Sequence, residues 1–169
     1  AGNSATVTLA VSIDRTPPGI AAQPSTTEWT NADASVHFVC TDTLSGVAFC
    51  TDTIGVQTDG IHDITGAAVD RAGNRATASA TVRVDKTAPT IAATPDRVPN
   101  GAGWYNAPVT VTFACADGGS GVADCPAPST VGGDGPNQAV SGTVADRAGN
   151  TATASLHVSV DTTPPTIQA

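Results

Sequence analysis

Apolar and polar side chains alternate with a period of two in several separate stretches of this chain. Between residues 4 and 13 every second position is apolar, and the positions between them carry mainly Thr and Ser. Residues 76–84 and 152–160 repeat the alternation. Because successive side chains of a strand point to opposite faces, the pattern predicts a long, half-buried strand in each of these three places.

Shorter alternating stretches come before two of the long ones. Residues 35–40 and 109–115 place Val, Phe and Cys on one face and mainly Ser, Thr and His on the other. No apolar stripe has the 3.6-residue period of a helix, and 12 Pro and 17 Gly interrupt the chain. Together these features predict an all-β fold of the sandwich type.

The strand pattern recurs with a fixed linker motif, which indicates tandem repeats. Asp14–Pro18 returns as Asp85–Pro89 and then as Asp161–Pro165, at intervals of 71 and 76 residues. We interpret the chain as four parts: residues 1–13, the last strand of a preceding repeat; residues 14–84, a first domain; residues 85–160, a second domain; and residues 161–169, the start of a following repeat.

Each domain contains one pair of cysteines at the same place, Cys40 with Cys50 and Cys115 with Cys125. An even count at regular positions favours disulfides formed in an oxidising compartment, because zinc sites have closer Cys spacing and His partners. If the two cysteines face each other across a hairpin, the turns are centred on Ser45 and Ser120. A bridge inside one hairpin is the prediction, since this spacing is too short to join the two sheets of an antibody domain.

Other motifs keep the same order in both domains. They are W-x-N (from Trp29 and Trp104), C-x-D, S-G-V, D-R-A-G-N (ending at Asn74 and Asn150) and V-D-x-T-x-P. With these motifs the chain resembles the bacterial immunoglobulin-like (Big-type) tandem repeats of secreted and cell-surface proteins. The resemblance covers essentially the whole chain and implies two tandem immunoglobulin-like β-sandwiches. It implies little about function, because such modules occur in adhesins, stalks and the non-catalytic parts of secreted enzymes.

Composition narrows the classes of partner. The net charge is −8, with seven Lys and Arg spread along the chain, so there is no positive patch for nucleic acid. No apolar run approaches the ~20 residues that span a bilayer, and we expect no membrane insertion in this segment. The cysteines predict an extracellular or cell-surface location.

Three aspartates recur in each repeat: one in the linker, one after the first cysteine and one in the last turn. Carboxylates gathered near a junction could bind calcium, which takes six to eight oxygen ligands; the alternative is that each one caps its own turn. No other cofactor is indicated. The candidate ligands are Asp14, Asp42, Asp70, Asp85, Asp117, Asp146 and Asp161. Asp59, Asp63 and Asp134 have no counterparts in the other repeat and are interpreted as solvated loop charges.

Aromatic residues and histidines are candidate functional groups. Trp104 and Tyr105 form a candidate stacking platform for a ligand, although a Trp that closes one end of the sandwich is the simpler interpretation. The three histidines occupy three different repeat positions, so no shared general base emerges and we expect no enzyme activity.

Three hypotheses of function follow from these patterns. Proline fixes φ in the linkers and makes them short and semi-rigid, which favours a spacer or stalk whose partners are neighbouring repeats. The first alternative is an adhesin or a carbohydrate-binding accessory module that contacts a surface glycan or a protein receptor. The second is a filament subunit that self-associates by strand addition through residues 1–13.

Overall fold

Strands joined by turns and loops make up the computed structural model, which describes residues 1–168. Along the first repeat the strands are β1 Gly19–Pro24, β2 Trp29–Thr30, β3 Ala34–Thr41, β4 Val47–Cys50, β5 Ile54–Val56, β6 Gly60–Asp70 and β7 Arg75–Val84. Along the second they are β8 Thr90–Pro95, β9 Trp104–Tyr105, β10 Val109–Ala116, β11 Val122–Asp124, β12 Ser129–Val131, β13 Gly135–Asp146 and β14 Thr151–Val160.

The strands form four sheets, and each sheet takes its strands from one repeat only. The first repeat supplies β1-β3-β5 and β2-β7-β6-β4, and the second supplies β8-β10-β12 and β9-β14-β13-β11 in matching order. In both, the short strand that carries the Trp pairs in parallel with the last long strand, β2 with β7 and β9 with β14. The predicted all-β fold with immunoglobulin-like sandwiches is confirmed.

The contacts divide the chain into two compact units. The first contains Ala1–Thr27, Ser35–Val56 and His62–Val82; the second contains Glu28–Ala34, Gln57–Ile61 and the chain from Arg83 onward. Two segments of the first repeat, residues 28–34 with β2 and residues 57–61 with the start of β6, therefore belong to the second unit. The predicted domain ranges, 14–84 and 85–160, stay predictions.

Each unit has a core of mainly aliphatic side chains from the inward positions of its strands. In the first unit the buried apolar residues are Val36, Phe38, Val56, Ala68 and Val82. In the second they are Tyr105, Val109, Val111, Val140, Val158 and Val160. The strands predicted over residues 35–40, 76–84, 109–115 and 152–160 are present as β3, β7, β10 and β14. The alternation of apolar and polar residues identified these four strands, because only the inward side chains of a strand are removed from water.

The strand predicted over residues 4–13 is not formed in this chain. Residues 1–18 contain no strand, and the apolar side chains at positions 7, 9, 11 and 13 are exposed. A strand needs a neighbour to accept and donate its backbone hydrogen bonds. Both β7 and β14, which share the pattern, lie between two other strands of their sheets, whereas residues 4–13 have no such neighbours among residues 1–168.

The two predicted disulfides are present, Cys40–Cys50 and Cys115–Cys125, but the predicted hairpin is wrong. Cys40 lies on β3 and Cys50 on β4, and these strands belong to different sheets. In the second unit Cys115 lies on β10, while Cys125 directly follows β11 of the other sheet. The bridge therefore joins the two sheets, because the chain crosses between them at the Ser-Gly turn.

The Ser-Gly and D-R-A-G-N motifs both form turns. Gly46 and Gly121 of the Ser-Gly turns have φ of 81° and 85°, a left-handed conformation that favours glycine. The D-R-A-G-N motifs join β6 to β7 and β13 to β14, and the Asp70 N–H donates to the Asn74 carbonyl across the turn.

Within residues 1–168 the structure has no helix of the length and hydrophobicity needed to cross a bilayer.

Candidate functional site

The fold brings the recurring aspartates together into one cluster in each unit. Asp14, Asp42 and Asp70 each place a carboxylate oxygen within 4.8 Å of the others, and Asp85, Asp117 and Asp146 do the same. The linker supplies the first residue of each set, the Ser-Gly turn the second, and the D-R-A-G-N turn the third. Residues far apart in sequence therefore meet because the three loops lie at the same end of a sandwich.

In the second unit the linker residue Asp85 is almost completely buried, with 1% of its surface exposed. Its two carboxylate oxygens accept the N–H groups of Ser120, at 2.6 Å, and of Thr87, at 3.1 Å. A side chain at Gly119 would collide with this carboxylate, so glycine is required for its close approach. In the first repeat the exposed Leu44 occupies that position, and Asp14 is only partly buried.

The other two carboxylates of the second cluster cap their own turns. Asp117 accepts the N–H groups of Gly119 and Gly121, at 3.2 and 2.7 Å. Asp146 accepts the N–H of Asn150 on one oxygen, at 2.8 Å, and the side-chain amide of Asn150 on the other, at 2.7 Å. Each turn is therefore held by a charge-assisted hydrogen bond to its own Asp.

The first cluster repeats these bonds almost atom for atom. Asp14 accepts the N–H groups of Thr16 and Ser45, and Asp42 accepts those of Leu44 and Gly46. Asp70 is bonded to the backbone and the side chain of Asn74, at 2.8 and 2.7 Å.

Hydrogen bonding also sets the charge state of the buried linker carboxylate. Burial acts to raise the pKa of Asp85, but hydrogen bonds from Ser120 and Thr87 outweigh it and leave the pKa below its usual value. The carboxylate is therefore ionised at neutral pH although it is buried, and N–H donors replace the water that it has lost.

The donor pattern does not fit calcium well. In each cluster five of the six carboxylate oxygens already accept an N–H, whereas calcium takes six to eight oxygen ligands. The seventh predicted ligand, Asp161, belongs to neither cluster and accepts the N–H of Thr163. We therefore interpret the clusters as turn caps, and calcium binding remains the alternative.

The asparagine of each D-R-A-G-N turn also binds the linker, which the sequence did not reveal. The Asn150 amide donates to the carbonyl oxygens of Asp85, at 2.8 Å, and Thr87, at 3.3 Å. Asn74 donates in the same way to the carbonyls of Asp14 and Thr16. The motif was predicted only to form a turn, but its side chain has this second role.

Asp59 and Asp134, which we interpreted as solvated charges without counterparts, in fact occupy matching places. Asp59 accepts the Lys86 N–H at 2.9 Å and the Thr87 hydroxyl at 2.8 Å. Asp134 accepts the N–H and hydroxyl of Thr162 and the hydroxyl of Thr163, at 2.7–2.8 Å. The shared signal was an Asp-Gly pair at the start of β6 and β13, which the unequal length of the loops before them concealed.

Lys86, the one lysine of the chain, adds a charged contact to this linker. Its ammonium group forms an ion pair with Asp33 and donates to the Gln57 carbonyl at 2.9 Å. Both groups of the ion pair are partly exposed, so the pair adds little to stability. Its main effect is to place one more contact on the segment that Asp59 already binds.

The predicted stacking platform is not formed. Tyr105 is 7% exposed and belongs to the core of the second unit, so its ring is unavailable to a ligand. Trp104 is half-buried on β9. Two cavities, of about 410 and 340 Å³, contain no aromatic side chain among their lining residues.

The histidines are not brought into a shared site. His37 lies on the outward face of β3, where its Nδ1 is 2.9 Å from the Thr53 hydroxyl. His62 and His157 lie on β6 and β14.

No known protein-family model matches the sequence, and no curated protein is similar enough to count as a relative.

Proposed function

We propose that this chain is a structural spacer in a secreted or surface-anchored protein. In this proposal tandem immunoglobulin-like sandwiches hold another domain away from the point of attachment and perform no catalysis. The repeats, the sheet-joining disulfides and the resemblance to bacterial surface modules support it. An oxidising, extracellular setting agrees with the two disulfides.

The observation that carries the proposal is the bonding of the linker between β7 and β8. Asp59 binds Lys86 and Thr87 from one side. Ser120 and Asn150 bind Asp85 from the other. The segment is therefore fixed by backbone and side-chain hydrogen bonds in addition to the φ restriction of Pro89. A spacer needs connections of this kind, because a freely jointed linker shortens the mean reach of an array.

The test is a surface-display experiment that separates reach from binding. The chain is anchored to a cell at its N-terminal end and carries a small reporter domain at its C-terminal end. Zero, one or two additional copies of residues 14–84 are inserted between the anchor and the reporter. We expect access of a bulky antibody to the reporter to increase with each copy. A matched series with flexible Gly-Ser segments of equal residue number should give less access per residue.

The proposal fails if the rigid and the flexible series give the same access. It also fails if the chain binds cells or a glycan array without any reporter, which would favour the adhesin alternative. That alternative has less support, since Tyr105 is buried and neither the 410 Å³ nor the 340 Å³ cavity is lined by an aromatic residue.

A further inference from the structure

The loop that joins β8 to β9 carries the one Asn-Gly pair of the chain, Asn100 and Gly101. This loop spans residues 96–103, all of which are exposed. In the first repeat only residues 25–28 join the matching strands β1 and β2, and they contain neither Asn nor Gly. The pair is therefore a feature of the second unit and not of the repeat.

Asn100 lies at the start of a closed turn. Its N–H donates to the Trp104 carbonyl at 2.8 Å, and its carbonyl accepts the Gly103 N–H at 2.9 Å. Gly103 has a φ of 83°, in the left-handed region that favours glycine. These bonds hold the loop in a defined conformation although its residues are exposed to water.

Two backbone N–H groups converge on the side-chain oxygen of Asn100. Its Oδ1 accepts the Ala102 N–H at 2.9 Å and the Trp104 N–H at 3.0 Å. Hydrogen bonds to a carbonyl oxygen stabilise the negative charge that the oxygen acquires when a nucleophile adds to its carbon. Both distances lie in the range of donors that stabilise an oxyanion, about 2.7–3.1 Å. The Asn100 Cγ is thus prepared for nucleophilic attack.

A nucleophile and a leaving group lie on either side of this carbon. Within residues 1–168 neither the Gly101 N–H nor the Asn100 Nδ2 forms a hydrogen bond. Gly101 also has open space beside it, because a Cβ added there would meet no atom within 4 Å. No contact therefore hinders deprotonation of the Gly101 N–H or departure of the Asn100 amide nitrogen.

We propose that Asn100 is a site of spontaneous deamidation, promoted by the turn that holds its side chain. The Gly101 nitrogen loses its proton to water and forms a bond to the Asn100 Cγ. The bond from Cγ to Nδ2 then breaks, and the amide nitrogen takes a proton from water and leaves as ammonia. Water adds to either carbonyl of the resulting succinimide and gives aspartate or isoaspartate at position 100. Water is the only co-reactant, and nothing is oxidised or reduced.

The two products have different effects on the second unit. Aspartate keeps an acceptor oxygen beside the same N–H groups, whereas isoaspartate adds a methylene to the backbone and moves the carboxylate away from Ala102 and Trp104. β9 begins at Trp104, lies at the edge of its sheet beside β14, and accepts the Asp161 N–H through the Tyr105 carbonyl. Isoaspartate therefore loosens this edge strand. The inference goes beyond the spacer function and does not rest on it.

The test follows deamidation of the full chain at neutral pH, both native and unfolded in urea. Ion-exchange chromatography separates the product, because each event adds one negative charge to a chain of net charge −8, and peptide mass spectrometry locates it. We expect Asn100 to react about tenfold faster in the native chain, since unfolding removes both donors from its Oδ1. The other asparagines of the native chain should react more slowly than Asn100.

Gly101→Ala is the matched control for the reaction. The added methyl group has open space, so the variant should keep the melting temperature of the wild type. The methyl group also restricts the backbone rotation that brings the nitrogen to the Asn100 Cγ, and it should slow deamidation at least about tenfold.

Asn100→Asp is the matched control for the effect on β9, because it adds the charge without lengthening the backbone. In this variant the Trp104 amide should stay protected from hydrogen exchange. In the isoaspartate fraction, isolated by chromatography, the same amide should exchange at least about tenfold faster.

Three results would overturn the proposal. A native rate no higher than the unfolded rate would show that the turn does not promote the reaction. An unchanged rate in Gly101→Ala would exclude attack by the backbone nitrogen. An isoaspartate fraction that exchanges like the wild type would remove the effect on β9. None of these results depends on the reporter access measured for the spacer, so the two proposals can fail separately.

Discussion

At the scale of single residues, Asp85 shows how a carboxylate can be buried in so small a domain. The charge is taken out of water but receives N–H donors on both oxygens. The Ser120 N–H depends in turn on this carboxylate, because Ser120 is itself buried. A buried donor without an acceptor costs more free energy than a satisfied bond contributes.

We therefore expect Asp85→Ala to lower the free energy of unfolding of the second unit by about 1–3 kcal/mol. Urea unfolding followed by circular dichroism measures the change. Asp161→Ala is the control, since this exposed linker residue accepts a single backbone N–H, from Thr163, and it should change stability by less than about 0.5 kcal/mol. Equal stability of the two variants would contradict the role given to Asp85.

Acid should weaken the same contacts. The pKa of Asp85 is lowered by hydrogen bonds that outweigh burial, and the pKa of Asp134 is lowered first by the Thr163 hydroxyl. A carboxyl whose pKa is lower in the folded state stabilises the fold above its unfolded pKa, about 3.9. That stability is lost as the pH falls from there through the folded pKa.

The pH dependence is tested by comparing the wild-type chain with Asp85→Asn at several pH values between 2 and 7. We expect the wild-type stability to fall below about pH 4 and the variant to show a smaller fall, because Asn does not titrate. Parallel curves would show that Asp85 does not contribute to the acid transition.

At the scale of elements, the disulfide and the Ser-Gly turn act together. The turn takes the chain from one sheet to the other, and the bridge joins β3 to β4 directly after that crossing. A link between two sheets opposes their separation, which a link within one hairpin does not. This placement makes the bridge a connection between the two sheets of the unit.

Removing the bridge should destabilise its own unit most. For the double substitution of Cys40 and Cys50 by Ser, we expect a loss of about 2.5–3 kcal/mol from the chain entropy of so short a closed loop. Differential scanning calorimetry measures the shift of the first unit, and the unit that keeps Cys115–Cys125 serves as the internal control. If reduction of both bridges leaves both transitions in place, the bridges are not structural staples.

At the scale of the whole molecule, the proposed spacer function requires linkers that hold their conformation. The linker between β7 and β8 is bonded by Asp59, and the segment after β14 is bonded by Asp134 in the same way. We call this bonding of an Asp-Gly carboxylate to the linker the latch, and its presence after both repeats shows that it is a feature of the repeat.

Breaking one latch should make its linker mobile. For Asp59→Ala we expect the backbone order parameters of Lys86 and Thr87 to fall from about 0.85, the value for rigid backbone, toward 0.6. Nuclear magnetic resonance relaxation of the ¹⁵N-labelled chain measures this change. Asp52→Ala removes an exposed carboxylate outside the latch and should have no effect, and a wild-type linker that is already mobile would refute the latch.

Calcium is tested on the same chain. Since the carboxylate oxygens already accept N–H groups from their own turns, we expect the melting temperature to stay within about 1 °C when calcium is replaced by a chelator. A saturable rise with calcium that is lost in Asp42→Asn would show instead that the clusters bind the ion.

Much of the fold could be predicted because its signals are local. The alternation of apolar and polar residues over β3, β7, β10 and β14 reflects the two-residue period of a single strand. Gly46 and Gly121 indicate turns, because glycine readily adopts the left-handed backbone that these turns have. Repetition of these signals also located both cysteine pairs and the aspartates of the two clusters. Each inference needed only residues that lie close together in sequence, or the same pattern found twice.

Tertiary structure alone decided the arrangement between these elements. The hairpin predicted between Cys40 and Cys50 was wrong because a strand joins a sheet through its hydrogen-bonding neighbours, which can be far away in sequence. The neighbours of β3 are β1 and β5, whereas the neighbour of β4 is β6. Asp59 and Asp134 became functional groups only where β6 and β13 bring them to the linkers. Residues 4–13 have the sequence of a strand but form none, since a strand exists only with its hydrogen-bonding neighbours.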